Sequence, residues 1–246
     1  VLIRVLNPYI YDKESVEAAT TLPIVGIIRK FPDKIDEDNS QILALSKPRS
    51  LFAESVRAVR TNLSFLAAEK QSKVICITSE VAGEGKSFVA LNLSSTLALI
   101  DKRVLLIGAD LRRPKLHKAF GFTNNKGLSN YLVNQSTIDE IIQPTQHKNL
   151  DFIGSGPIPP NPAELLHQDG IARLLKELRT RYEIIMIDTA PVGLVSDSIP
   201  LICQSDINLF VVRYGKSRHG AVAVPQGLVN EYHLSNMALV LNAFEE

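Results

Sequence analysis

A chain of 246 residues, 45% of them hydrophobic, can bury one sizeable core and carry a short appendage. Its formal net charge of +1 provides no global field, so nucleic acid is not expected as a partner and an acidic membrane surface would not recruit it. No apolar run reaches the length of a membrane span, and no signal-peptide pattern is visible.

The chain begins at Val1 rather than Met and reads as a fragment, with room for a membrane segment ahead of it. Asp12 to Thr20 is helix-like, and the run from Leu22 to Ile28 predicts a strand opened by Pro23. Lys30 to Ser40 is charged, contains Pro32 and lacks apolar periodicity, which predicts a linker or exposed loop. An amphipathic helix follows. Phe52, Val56, Val59, Leu63 and Leu66 form one apolar stripe, while Glu54, Arg57 and Arg60, spaced by three, share the opposite polar face. On the residues alone that face is a solvated surface. From Val74 onward, apolar runs near 74–78, 104–108, 150–153, 183–187, 207–212 and 238–242 alternate with stretches long enough for helices. The expected fold is α/β: a doubly wound, mostly parallel sheet with helices on both faces. Cys76 and Cys203 lie in apolar runs far from any CxxC spacing and read as inert core thiols of a reducing compartment. The five histidines show no metal-ligand spacing.

The first of these core strands runs directly into Thr78-Ser79-Glu80-Val81-Ala82-Gly83-Glu84-Gly85-Lys86-Ser87. A buried strand, a tight glycine turn and a helix opening at Lys86 make a P-loop layout, with Glu80 where the strict pattern has its first glycine. Gly83 and Gly85 allow the backbone to approach phosphate, and the N–H groups of the helix start face the anion. Lys86 can reach β- and γ-phosphates, and the Ser87 hydroxyl can bind Mg²⁺. The expected nucleotide-binding set is therefore Gly83, Glu84, Gly85, Lys86, Ser87 and Phe88. Two further strands end in carboxylates, Asp110 after Ile107-Gly108-Ala109 and Asp188 after Met186-Ile187. At the carboxyl rim of a parallel sheet such carboxylates can hold Mg²⁺ or its bound water, which predicts Ser87, Asp110 and Asp188 as metal residues. Lys86, Asp110 and Asp188 are the expected catalytic residues.

These motifs resemble the bacterial tyrosine kinases of polysaccharide export, the BY-kinases, and the resemblance covers nearly the whole chain. Ser79 to Ser87, Ile107 to Arg112 and Ile184 to Pro191 are similar to the family's three nucleotide motifs. Glu54 to Arg60 resembles its Glu-x-x-Arg-x-x-Arg oligomerisation motif, and Pro159 to Leu166 resembles another recurrent segment. The resemblance implies a P-loop NTPase fold, an ATP-dependent protein-tyrosine autokinase, and ATP or ADP with Mg²⁺ as ligands. It divides the chain into a juxtamembrane segment and linker over 1–45 and a kinase domain over 46–246. It also implies a homo-oligomeric ring assembled through Glu54, Arg57 and Arg60, in which one subunit's tyrosine-rich tail enters the next active site. Further implications are the polysaccharide export machinery and a tyrosine phosphatase as partners, and a place as the cytoplasmic domain of an inner-membrane protein. Asn242 is similarly placed to an adenine-contacting residue of related ATPases, and Arg213 is a possible base neighbour.

Three departures stand out. Gly108 replaces the first of two aspartates usual in the second motif, Ala82 stands where proline is frequent, and the six tyrosines are scattered rather than clustered. Gly108 keeps open a second reading, a nucleotide-dependent assembly module with weak or no kinase activity. A third, a partitioning-type ATPase switch, would carry an early lysine where this chain has Val81.

Overall fold

The apolar runs become the strands of one eight-stranded sheet: β1 (Ile24–Arg29), β2 (Lys73–Ser79), β3 (Val104–Gly108), β4 (Ile142–Pro144), β5 (Leu150–Ile153), β6 (Ile184–Asp188), β7 (Ile207–Arg213) and β8 (Met237–Phe244). The computed structural model describes residues 8–32, 42–167, 169–193 and 195–245. Strand order is β1-β8-β7-β2-β6-β3-β5-β4, and every pairing is parallel except β4 with β5. Side chains alternate between two cores. Within β2, Val74 and Cys76 face one, Ile75 and Ile77 the other. One face is covered by α2 (Leu43–Ser46), α3 (Leu51–Ser64) and α4 (Lys86–Ala98). The other carries α1 (Lys13–Glu17), α5 (Leu128–Leu132), α6 (Ile138–Ile141), α7 (Pro162–Leu166), α8 (Gly170–Arg181), α9 (Ile199–Gln204) and α10 (Ala223–Tyr232).

All six strands expected from Val74 onward are present, so the α/β architecture stands as anticipated. The short β4 was not anticipated; it has three residues, one of them Pro144, and survives as an antiparallel edge strand where a missing N–H is tolerated. The first helix is shorter than expected, spanning Lys13–Glu17, with the Asp12 carboxylate accepting the Ser15 N–H at 2.7 Å. Residues 33–40 of the expected charged loop lie outside the described residues. Cys76 is buried as expected, but Cys203 is exposed on α9, because that helix turns Leu201 and Ile202 to the core instead.

β1 comes from the segment expected as juxtamembrane and linker, yet it pairs with β8 at the edge of this sheet. Helix α3 lies close over it. A Cβ on Gly26 would meet Val59 Cγ2 at 2.7 Å, so only glycine permits that approach. The Asn62 amide donates to Val25 O at 2.7 Å, and the Arg29 N–H donates to the Ser55 hydroxyl at 3.0 Å. Phe52, Val56, Val59 and Leu63 are buried, so the predicted stripe is the face that packs. Helix α4 has no such stripe, because it is buried along most of its length between the sheet and the α2–α3 layer.

Candidate active site

Three strand ends and one helix start converge at the carboxyl rim. The loop after β2 closes with Gly83 at φ 86° and Gly85 at φ 95°, left-handed values that explain both glycines. A Cβ on Gly85 would also lie 2.1 Å from Asn242 Nδ2. Gly85 caps α4, whose first-turn N–H groups have no intrahelical acceptor and so face a ligand or solvent. Glu80, in the place of the first glycine, is accommodated from across the site. Gly193 donates its N–H to Glu80 O at 2.9 Å, and a Cβ there would meet that oxygen at 2.6 Å.

The loop is tied down by its carbonyls. Arg213 and Asn242, register partners on β7 and β8, donate to Gly83 O at 2.7 Å and to Glu84 O at 2.9 Å. Both also line the adjoining cavity of about 760 Å³, together with Gly83, Gly85, Lys86, Ser87, Phe88, Asp110 and Asp188. Phe88 additionally packs against Phe52, ring centroids 5.3 Å apart. Glu84 departs from expectation. Its side chain is fully buried and turned away from the cavity, accepting the Val81 N–H at 2.8 Å and the Ser217 hydroxyl. Burial pushes its carboxyl above the usual range, with the Ser217 and Val81 donors opposing. It braces the loop from within, leaving only its backbone for a ligand.

Asp188 ends β6 and is only 3% exposed. Burial raises its pKa to about 6, against the pull of the Lys86 charge and a hydrogen bond from Ser87, while Asp110 adds repulsion. Its Oδ1 is buried with no hydrogen-bond partner among the described residues. A buried carboxylate oxygen in need of a partner, beside a serine hydroxyl, fits a hard cation such as Mg²⁺. Asp110 is half-buried and accepts the N–H groups of Arg112 and Arg113 at 3.2 and 3.0 Å, so it both shapes its own turn and faces the cavity. Among the described residues no cluster of three or more His, Cys, Asp or Glu stands ready for a metal, so a cation here needs further oxygens.

Gly108 pairs in register with Asp188, at the heart of the site. Sequence reasoning missed Ser155 beside it. That buried hydroxyl donates to Gly108 O at 2.7 Å and lines the cavity; its only sequence signal is a place in the Gly154-Ser155-Gly156 turn after β5. Ser217, the partner of Glu84, was missed too. The polar-face trio of α3 lies elsewhere and is already engaged. Arg57 pairs with Glu54 at 2.6 Å and donates to Pro48 O at 2.7 Å, and Arg60 donates to Thr96 O near the end of α4 at 2.9 Å. Arg60 is therefore half-buried against its own subunit rather than free on an open face.

Residues 72–216 match the family model of an AAA domain. The chain is 40% identical to the tyrosine-protein kinase YwqD of Bacillus subtilis over 176 residues, covering 72% of this chain and 74% of that protein. The chain belongs to the bacterial tyrosine-protein kinases. Another BY-kinase, ptk of Acinetobacter johnsonii, is 31% identical across all of this chain, which spans 32% of that longer protein. Among solved BY-kinases, the kinase domain of Escherichia coli ETK superposes with a TM-score of 0.87 at 29% identity, covering 96% of this chain and 95% of that one. The P-loop fold and the protein-tyrosine kinase class follow from this membership.

Proposed function

We propose that the cavity binds ATP with Mg²⁺ and transfers the γ-phosphoryl group to a tyrosine hydroxyl. The observation that carries this is Asp188 Oδ1, buried without a hydrogen-bond partner among the described residues, on a carboxylate that feels the Lys86 charge and accepts from the Ser87 hydroxyl. Bound Mg²⁺ would neutralise phosphate charge, with Ser87 and Asp188 as its protein oxygens and Asp110 near its water shell. Lys86 sets a cation against the β- and γ-phosphates, and the N–H groups at the start of α4 cradle them. Arg213 and Asn242 hold the loop in register and flank the base. As the tyrosine oxygen bonds to phosphorus and the bond to ADP breaks, the hydroxyl proton passes to a carboxylate, for which half-exposed Asp110 is the accessible choice. Phosphoryl transfer rests mainly on positioning and charge, which these groups supply.

The acceptor, in this reading, is a tyrosine-rich tail presented in trans within a homo-oligomeric ring. The wider setting is the cytoplasmic domain of an inner-membrane protein that regulates polysaccharide export and is reversed by a tyrosine phosphatase. The family resemblance of the Glu54 helix, residues 1–45 and the three nucleotide motifs supports it. Lys86→Met tests the core of the proposal. An anti-phosphotyrosine blot after incubation with ATP and Mg²⁺ should show transfer by the parent and a loss of at least about a hundredfold in the variant. Undiminished transfer in a folded Lys86→Met protein would remove the P-loop from the mechanism.

A further inference from the structure

We propose that Arg113, Lys115 and Lys118 select a phosphoryl acceptor whose tyrosine is flanked by acidic residues. The inference rests on the kinase reading above and concerns the same cavity. Other cations at its wall are already engaged. Arg112 grips Asp197 at 2.5 and 3.1 Å, Lys30 pairs with Glu245, and Arg213 holds Gly83 O at 2.7 Å. Lys86 is buried beside Asp188. Arg113, Lys115 and Lys118 line the same cavity, are exposed, and have no ion pair among the described residues.

Topology decides which ligand they meet. β7 and β8, with Arg213 and Asn242, lie on one side of β2, and β6 and β3 lie on the other. A nucleotide with its base beside Asn242 and its phosphates on the P-loop points its γ end toward Asp188 and Asp110. The segment after β3 that carries Arg113, Lys115 and Lys118 is therefore beyond the γ-phosphate, where the acceptor approaches. Exposed lysine and arginine there attract carboxylates and disfavour basic flanks.

Two tyrosine peptides of the same length test this, one with Asp and Glu around the tyrosine and one with Asn and Gln. The parent should favour the acidic peptide about tenfold in kcat/KM, through KM, with the advantage shrinking as salt rises. Arg113→Ala/Lys115→Ala/Lys118→Ala should bring the ratio near one, and fluorescence anisotropy of the labelled acidic peptide should show the same weakened binding. Reversal of all three to Glu should favour a Lys-flanked peptide. Equal turnover of the two peptides by the parent, a ratio unmoved in the variants, or a variant whose KM rises for ATP instead would overturn the rim's role. Phosphorylation of neither peptide by the parent, or of any other tyrosine, would instead overturn the kinase reading beneath it.

Discussion

Asp188 sits where burial and ligand chemistry oppose each other, its carboxyl raised to about 6 and its Oδ1 without a partner among the described residues. Asp188→Asn keeps the shape and removes the charge. It should lower Mg²⁺-dependent transfer by about a hundredfold while changing Mg²⁺-free nucleotide affinity only slightly, as read by single-turnover kinetics and calorimetry. Equal losses in both would mean a packing role. Gly108, one strand away in register, poses the complementary question. A Cβ there would sit 3.2 Å from Ser155 Oγ, so the serine must yield by a few tenths of an ångström. The added carboxylate of Gly108→Asp would stand beside Asp188 and Asp110 at the proposed Mg²⁺ site. Because Asp110 already supplies the accessible carboxylate, single-turnover transfer at saturating Mg²⁺ should stay level or fall. A rise of about tenfold or more would instead mean that the glycine leaves the site short of a catalytic group and would favour an assembly module as the natural role.

Helix α3 shows how one amphipathic pattern can conceal two jobs. Its apolar stripe was legible because burial follows the helical period, and so were the six inner strands, whose alternation feeds two cores. Its polar face was legible only as polar. That Arg60 reaches Thr96 O on α4 depends on a tertiary contact 36 residues away, which spacing cannot reveal. The same limit applies to Glu84, whose place beside glycines suggested a ligand contact while its partner Ser217 lies far along the chain. The gathering of Lys86, Ser87, Asp110 and Asp188 around one cavity was readable because strand ends and a glycine turn fix them locally. The engaged state of Arg60 changes the assembly test. Glu54→Ala/Arg57→Ala removes a surface ion pair that contributes little to folding, so the subunit should stay folded while light scattering shows a lower mass. Arg60→Ala should lower the thermal midpoint as well. An unchanged mass and continued transfer in trans by the double variant would leave α3 a solvated face.

Across the whole molecule the two ends of the sheet divide the labour. The carboxyl rim gathers the reactive groups, while the opposite end holds a cavity of about 970 Å³ whose cations serve the fold. There Lys73 caps Ser64 O and Leu66 O near the end of α3, and Arg179 donates to Ser72 O. Asp206 is the hub, its side chain 4% exposed, accepting from Lys70, from Arg179 at 2.7 Å and from the Val74 N–H at 2.7 Å. Burial alone would raise its carboxyl, but Arg179, Lys70 and Val74 outweigh it and hold it below the usual range. A depressed carboxyl stabilises the fold above its unfolded value, about pH 4, and that stability is lost as pH falls through the folded value. Asp206→Ala should cost about 3 kcal/mol or more at pH 7 in urea unfolding, with the gap to the parent narrowing below about pH 4. The edge pairing of β1 with β8 sets a timetable for biosynthesis. A ribosome releases Ile24 long before Met237, so at typical elongation rates the early strand waits on the order of ten seconds or more for its neighbour. Throughout that interval its hydrogen-bonding edge is open to other nascent chains, a hazard that ends only once Met237–Phe244 has emerged to pair with it.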